Sequence, residues 1–190
     1  GLLDHWDLSY TSTGDYKAGV LLGIKGMKLF VLEVFCQRCE INSAMEVRAN
    51  WFKKYLKKGM VMMGFYDATA AQQAVYTPII LQSAEDNNCP NLPMPMHQEG
   101  DKHNRISSGL TNILFRKLLF WDETLQERSK NDYETFMKQV LSFEKGTTSN
   151  DDAPDTLECA VTLSQLYFGY SENKENIKPK IGKKKKNRRL

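Results

Sequence analysis

The sequence is poor in cysteine, with four in 190 residues, which excludes a disulfide scaffold for a chain of this length. Cys36 and Cys39 form a lone Cys-Gln-Arg-Cys, with no second pair and no His at finger spacing, so the four ligands of a structural zinc are not at hand. All four thiols read as reduced. No apolar run approaches the ~20 residues of a membrane span. Asp4 and Asp7 interrupt the first apolar residues, so the start lacks the form of a secretion signal. Gly1 stands where an initiator Met would, and the chain reads as a piece of a longer one. There is no internal repeat, no Gly-x-x-x-x-Gly-Lys-Ser/Thr phosphate loop and no helix-turn-helix, finger or homeodomain pattern.

What is present is ordinary folding material, 41% hydrophobic and 11% aromatic, enough for one well-cored domain. The net charge of +3 hides a split. Residues 172–190 carry nine Lys and Arg against two Glu, which leaves 17 basic and 21 acidic residues in the rest. The chain therefore reads as a mildly acidic folded body, 1–171, and a basic tail, 172–190, expected to be disordered. A Lys-rich tail attracts any polyanion and specifies none.

Residues 2–9 read as a short strand, followed by a Ser, Thr and Gly-rich turn, "YTSTGD". Residues 17–24 and 28–36 are two β-rich runs around Gly26, a hairpin, and the first strand is expected to join them in an antiparallel meander. From Asn42 to Lys57, Ala44, Val47, Trp51 and Tyr55 recur at helical spacing. "GMVMMGFYDA" (59–68) suits a central strand covered on both sides. Residues 69–88 read as a helix, kinked or interrupted at Pro78, and "CPNLPMPMHQEG" as a Pro-rich loop or edge strand. A helix over 102–117 and a short strand "LLFW" come next. An amphipathic helix over 132–144 then carries Tyr133, Phe136, Met137, Val140 and Leu141 on one face. "EKGTTSN" is a loop, and a last helix spans about Ala153 to Tyr167. Strands first, then strands alternating with helices, imply an α/β layer structure with a mixed sheet.

The acids fall at particular places in this plan. Asp7 lies in the first strand, Asp67 closes the buried strand, and Asp152 and Asp155 open the last helix on one face. If strands one and four are parallel neighbours, Asp7 and Asp67 end side by side, and a helix across that end brings the other two. Gathered carboxylates raise one another's pKa, and divalent cations relieve that cost. Mg²⁺ and Mn²⁺ take oxygen ligands, and two such ions about 3.5–4 Å apart suit phosphodiester hydrolysis. Each acid also has a local explanation. Asp152 suits an N-cap, Asp155 a helix-dipole partner, Asp67 a strand-end turn and Asp7 a loop.

Three ordered segments resemble the nuclease domain of tailed-phage terminase large subunits. They are "DLSYTSTGDYKAGVLLG" from Asp7, "GDKHNRISSGLTNILFRKLLFWDE" at 100–123, with its Lys-x-x-Arg-Ile, and "FEKGTTSNDDAPDTLECAV", with its Asp-Asp-x-x-Asp. The match spans about residues 3 to 168. It implies a ribonuclease H-like fold, an antiparallel meander followed by parallel strands flanked by helices. It also implies a metal-dependent endonuclease, a hydrolase using two Mg²⁺ or Mn²⁺ ions to cut concatenated viral DNA during packaging. By position, Asp7, Asp67 and Asp152 match the acidic triad, with Asp155 as a further metal ligand and Asp151 an alternative to Asp152. Implied partners are double-stranded DNA, a packaging ATPase domain that this chain lacks, the terminase small subunit and the portal. The implied location is the cytoplasm of a bacterial host, with a phage or prophage gene.

Lys102 and Arg105 lie on the Lys-x-x-Arg segment and either grip DNA phosphate, orient a carboxylate or form structural ion pairs. Asp15 supports the metals or caps a turn. His5, His97 and His103 share no spacing and none is needed as a ligand, although His5 shares Asp7's strand face. Cutting is expected to be largely independent of sequence, resting on phosphate contacts. Two other readings stand beside this one. One is another ribonuclease H-like nuclease, such as a Holliday-junction resolvase. The other is a non-catalytic DNA-binding or assembly module whose carboxylates only cap and pair.

Overall fold

The structure, a computed structural model, describes residues 1–10, 14–144 and 150–169. The basic tail, much of the "EKGTTSN" loop and the middle of the "YTSTGD" turn lie outside the described residues.

The sheet is built from β1 (Leu2–Asp7), β2 (Lys17–Lys25), β3 (Lys28–Gln37), β4 (Met62–Asp67), β5 (Met94–Met96) and β6 (Leu119–Trp121). Its spatial order is β5-β4-β1-β2-β3-β6. The first three strands form the expected meander, turned between β2 and β3 at Gly26, whose φ of 59° places it in the left-handed region. β4 then lies parallel to β1, as expected, and β5 and β6 extend the two edges in parallel. The mixed sheet, an antiparallel meander followed by parallel strands and flanked by helices, is the arrangement anticipated from the sequence.

Side chains alternate across a strand, so β1 serves two cores. Leu2 and Trp6 face one way, packing with Leu21, Phe35 and helices α1 (Ile41–Leu56) and α2 (Ala70–Asp86). Leu3 faces the other way, with Ala18, Val20, Phe65 and helices α3 (Lys102–Phe115), α5 (Lys130–Ser142) and α6 (Asp152–Phe168). A single turn, α4 (Leu125–Arg128), precedes α5. In β3 a bulge lets Leu32 and Glu33 together oppose Leu21, which keeps Leu29, Val31, Val34 and Cys36 all on the α6 side.

Three expectations change. The apolar run 59–68 is strand only from Met62, because Gly59, with φ of 72°, follows the C-terminus of α1 and leaves Met60 and Val61 in solvent. Helix α2 runs unbroken through Pro78, whose ring lies on the exposed side. On α5, Leu141 is 76% exposed, and Gln139 takes a buried place instead.

The α1–α2 side also buries a charge. Asp4 is fully enclosed, and Arg48 of α1 meets it through Nε at 2.7 Å and Nη2 at 3.4 Å. The Trp6 indole N–H donates to the same carboxylate at 2.8 Å. Arg48 donates onward to the Asn91 carbonyl and side-chain oxygens at 2.6 and 2.7 Å. Gly64 in β4 makes room, since a Cβ there would lie 2.1 Å from Arg48 Nη2.

Candidate metal centre

The site is assembled at the carboxyl ends of the two parallel central strands. Asp7 ends β1 and Asp67 ends β4 in the same register. Adjacent strands lie about 4.8 Å apart, so the two carboxylates are neighbours, on the face that carries Leu3 and Phe65. Helix α6 packs across β1 and β2 on that face and begins above them. Its Pro154, within the first turn, suits a helix start, where an amide hydrogen is not needed.

The start of α6 is satisfied from outside, which leaves its carboxylates for other work. Gln139 of α5 accepts the Ala153 N–H at 2.9 Å. Asp151 holds the N-cap position but makes no capping bond; it accepts from Lys102 Nζ at 2.8 Å. Asp152 is only 7% exposed, and its Oδ2 has no hydrogen-bond partner in the structure. Asp67 Oδ1 is likewise without one.

The pKa shifts report the same crowding. Burial pushes the Asp7 carboxyl well above its ordinary value, and the charges of Asp152, Asp155 and Asp67 push it further, against Lys102. Burial lifts Asp152 to about 6, with Asp151 and Asp15 adding to it and Lys102 opposing. Asp67 is raised by burial and then by Asp155, while the Gln98 backbone N–H, His97 and Arg105 pull it down. The fold thus gathers Asp7, Asp67 and Asp152 and gives them too little positive charge.

Asp155 stands differently. Lys102 Nζ lies 3.0 Å from its Oδ2, and Arg105 Nη2 lies 2.6 Å from its Oδ1. Arg105 also donates to Glu158 and to Cys159 Sγ, the latter at 3.2 Å. Asp155, Glu158 and Cys159 have the separations of a metal-ligand group, but the Arg105 guanidinium is the cation among them. Gly109 of α3 lets this happen, since a Cβ there would meet the Glu158 side chain at 2.7 Å. Burial draws the Lys102 ammonium down, yet Asp155, Asp151 and Asp7 together carry it above its ordinary value, so it stays charged.

Of the sequence-predicted residues, Asp7, Asp67, Asp152, Asp155 and Asp151 converge; Lys102 pairs with Asp151 and Asp155, and Arg105 with Asp155. Asp15 is exposed, with its backbone carbonyl accepting from Ser9 Oγ at 3.0 Å, yet close enough to raise Asp152. His5 shares the face of Asp7 and lies 3.5 Å from Thr156 Oγ1. Burial takes it down to about 4, so it is neutral near pH 7. Sequence reading passed over Glu158, which the i, i+3 spacing from Asp155 would have placed on the same helix face. It also set aside His97, whose Nδ1 lies 3.7 Å from Asp67 Oδ1. No helix among the described residues is long and apolar enough to cross a membrane.

No protein-family model matches the sequence, and no curated protein matches it. Solved structures do. The human cytomegalovirus terminase nuclease domain superposes with a TM-score of 0.66, at 11% identity, over 85% of this chain and 82% of that one. The large terminase nuclease domain of bacteriophage SPP1, with bound Mn, gives 0.52 at 10% identity, over 86% of each chain. The large terminase of a thermophilic bacteriophage gives 0.54 at 12% identity, over 88% of this chain and 39% of that one. At these identities the likeness is one of fold, and the fold is that of terminase nuclease domains.

Proposed function

We propose that this chain, with its terminase nuclease-domain fold, is a divalent-metal-dependent endodeoxyribonuclease that cuts concatemeric viral DNA during genome packaging. The observation that carries the reading is the convergence of Asp7, Asp67 and Asp152 with too little compensating charge, two of them with a carboxylate oxygen that nothing satisfies. A buried orphan carboxylate oxygen is costly, and a hard cation that takes oxygen ligands fits this donor set. Asp7, Asp67 and Asp152 would hold the metal, as Mg²⁺ or Mn²⁺, with two ions as the working assignment. Bound there, the metal would activate water and stabilise the leaving oxygen of a phosphodiester.

The chain's own residues do the rest. Asp7 and Asp67 are fixed by the register of a central parallel pair, so their separation does not depend on a loop. Asp152 closes the site from above. Asp155 holds Lys102 and Arg105 beside it, and Lys102, 40% exposed, is positioned to meet a backbone phosphate as well. The substrate is double-stranded DNA, gripped through phosphates with little base reading. A packaging ATPase domain would supply the second grip, and the small subunit and portal the wider assembly, in the cytoplasm of a bacterial host.

Plasmid cleavage with Mn²⁺, Mg²⁺ or EDTA tests the reading, alongside melting temperature with the same additions. Wild type should nick and linearise only with metal and should melt higher with it. Asp67→Asn and Asp152→Asn should lose cleavage by at least about a hundredfold, as for loss of a transition-state stabiliser. Variants that cut and melt like wild type would show that these carboxylates are not the site; a wild type that neither cuts nor melts higher with metal would leave only a DNA-binding or assembly module. A strong preference for branched over linear duplex would point to a junction nuclease.

A further inference from the structure

Asp7, Asp67 and Asp152 offer oxygen ligands only, and among the described residues His97 brings an exposed imidazole nitrogen close to one of their carboxylates. His97 follows β5, whose last residue Met96 is the register partner of Asp67. The connection is pinned on both sides of Asp67. The Ala68 N–H donates to the Met96 carbonyl at 2.8 Å, and the Gln98 backbone N–H faces the Asp67 carboxylate and draws its pKa down. Between these two anchors His97 presents Nδ1 at 3.7 Å from Asp67 Oδ1, the carboxylate oxygen without a hydrogen bond. Two cis donors on one ion, at bond lengths near 2.1 Å, sit about 3 Å apart. The pair therefore needs only a small closing movement, and the His97 side chain, 52% exposed, is free to make it.

We propose that His97 is a nitrogen ligand, through Nδ1, to the metal ion held by Asp67, and that it biases this site toward a first-row transition ion such as Mn²⁺ over Mg²⁺. The proposal rests on the metal-centre reading. Its chemistry is that of donor type. Mg²⁺ holds to oxygen ligands and water and loses its water reluctantly, whereas imidazole is a good donor for first-row transition ions. A simple ion pair would explain the 3.7 Å separation equally well, but it predicts no effect on which metal binds.

The test is metal binding, read apart from cleavage. Free Mn²⁺ is followed by electron paramagnetic resonance during titration of wild type, His97→Ala and Asp67→Asn, then repeated against Mg²⁺. Electron spin-echo modulation of bound Mn²⁺ is recorded for nitrogen coupling. Wild type should bind Mn²⁺ with Asp67-dependent affinity and show nitrogen modulation. His97→Ala should lose that modulation and roughly tenfold or more in Mn²⁺ affinity, the low end of what ligand-shell changes cost, while Mg²⁺ affinity changes by less than about twofold. Unchanged Mn²⁺ affinity in His97→Ala, or nitrogen modulation that persists in it, overturns the assignment while Asp67-dependent binding leaves the metal centre standing. Wild type that binds no metal overturns both.

Discussion

Two carboxylates on one strand meet opposite fates. Asp4 and Asp7 are both drawn in by β1, but alternation sends them to opposite faces of the sheet. On its face Asp4 meets a guanidinium, an indole N–H and a glycine that makes room for both. On the other face Asp7 meets three more carboxylates, those of Asp152, Asp155 and Asp67, and one half-exposed lysine. The first is a closed arrangement: burial still raises the Asp4 carboxyl, but the charges and donors that pull against it, Arg48 and the Trp6 N–H, are supplied by the chain itself. The second is open, and its missing positive charge has to come from elsewhere. Burial alone does not mark a functional acid; burial without a counter-charge does.

The largest effect that could break this contrast is on the closed side. Arg48→Ala leaves the Asp4 charge buried and alone, and urea unfolding should show a loss of about 3–5 kcal/mol. The double replacement Asp4→Leu with Arg48→Met should recover most of it. If Arg48→Ala unfolds with wild type, Asp4 is no better compensated than Asp7, and the contrast fails. Gly64→Ala should cost about 1–3 kcal/mol by overpacking, because the added methyl would meet both Arg48 and Asp4; an unchanged urea midpoint would show that the pair can shift aside.

The open side should respond with the opposite sign. Folded Asp152 keeps its proton up to about pH 6, and unfolded Asp releases it near 3.8. A carboxyl raised in this way contributes its stability in full below about pH 4 and loses it as pH rises through 6. Thermal melts in EDTA should therefore decline between about pH 4 and 6.5, and the decline should flatten in Asp152→Asn. At pH 7 that variant should be more stable than metal-free wild type by about 1–2 kcal/mol, within the roughly 3 kcal/mol that such a shift could represent. Mn²⁺ should stabilise wild type more at pH 7 than at pH 5. The smallest effect is expected from Lys102→Met. It removes a half-exposed partner, so its change in urea midpoint should be under about 1 kcal/mol, and it should be destabilising, because Lys102 opposes the repulsion at Asp7 and Asp152.

The open side was the more legible of the two in the sequence. Asp67 closes an apolar run, Asp152 and Asp155 open an apolar helix, and both are local signals tied to element ends. The parallel neighbour relation of β1 and β4 entered only as a condition for Asp7 and Asp67 to meet, and it is the structure that supplies it. What escaped was long-range pairing. Asp4 appears in sequence only as an interruption of apolar residues, and nothing near it announces Arg48, 44 positions away. Arg48 even sits inside the apolar stripe of α1, between Ala44 and Trp51, where periodicity alone would expect another apolar side chain. Asp155 shows the same limit. Its helix face was legible, but its neutralisation by Lys102 and Arg105 depends on how α3 crosses α6. His97 was set aside because its nearness to Asp67 comes from a three-residue strand that composition does not reveal.

The outermost strands of the sheet carry a consequence for how this protein behaves in a crowd. Both edges, β5 and β6, are three residues long, while the nine- and ten-residue strands β2 and β3 lie inside. Pro95 at the centre of β5 has no amide hydrogen to offer a newcomer. A long bare edge is a template for another chain, and short or proline-bearing edges deny it. Many copies can therefore be crowded together without their sheets fusing edge to edge into fibres.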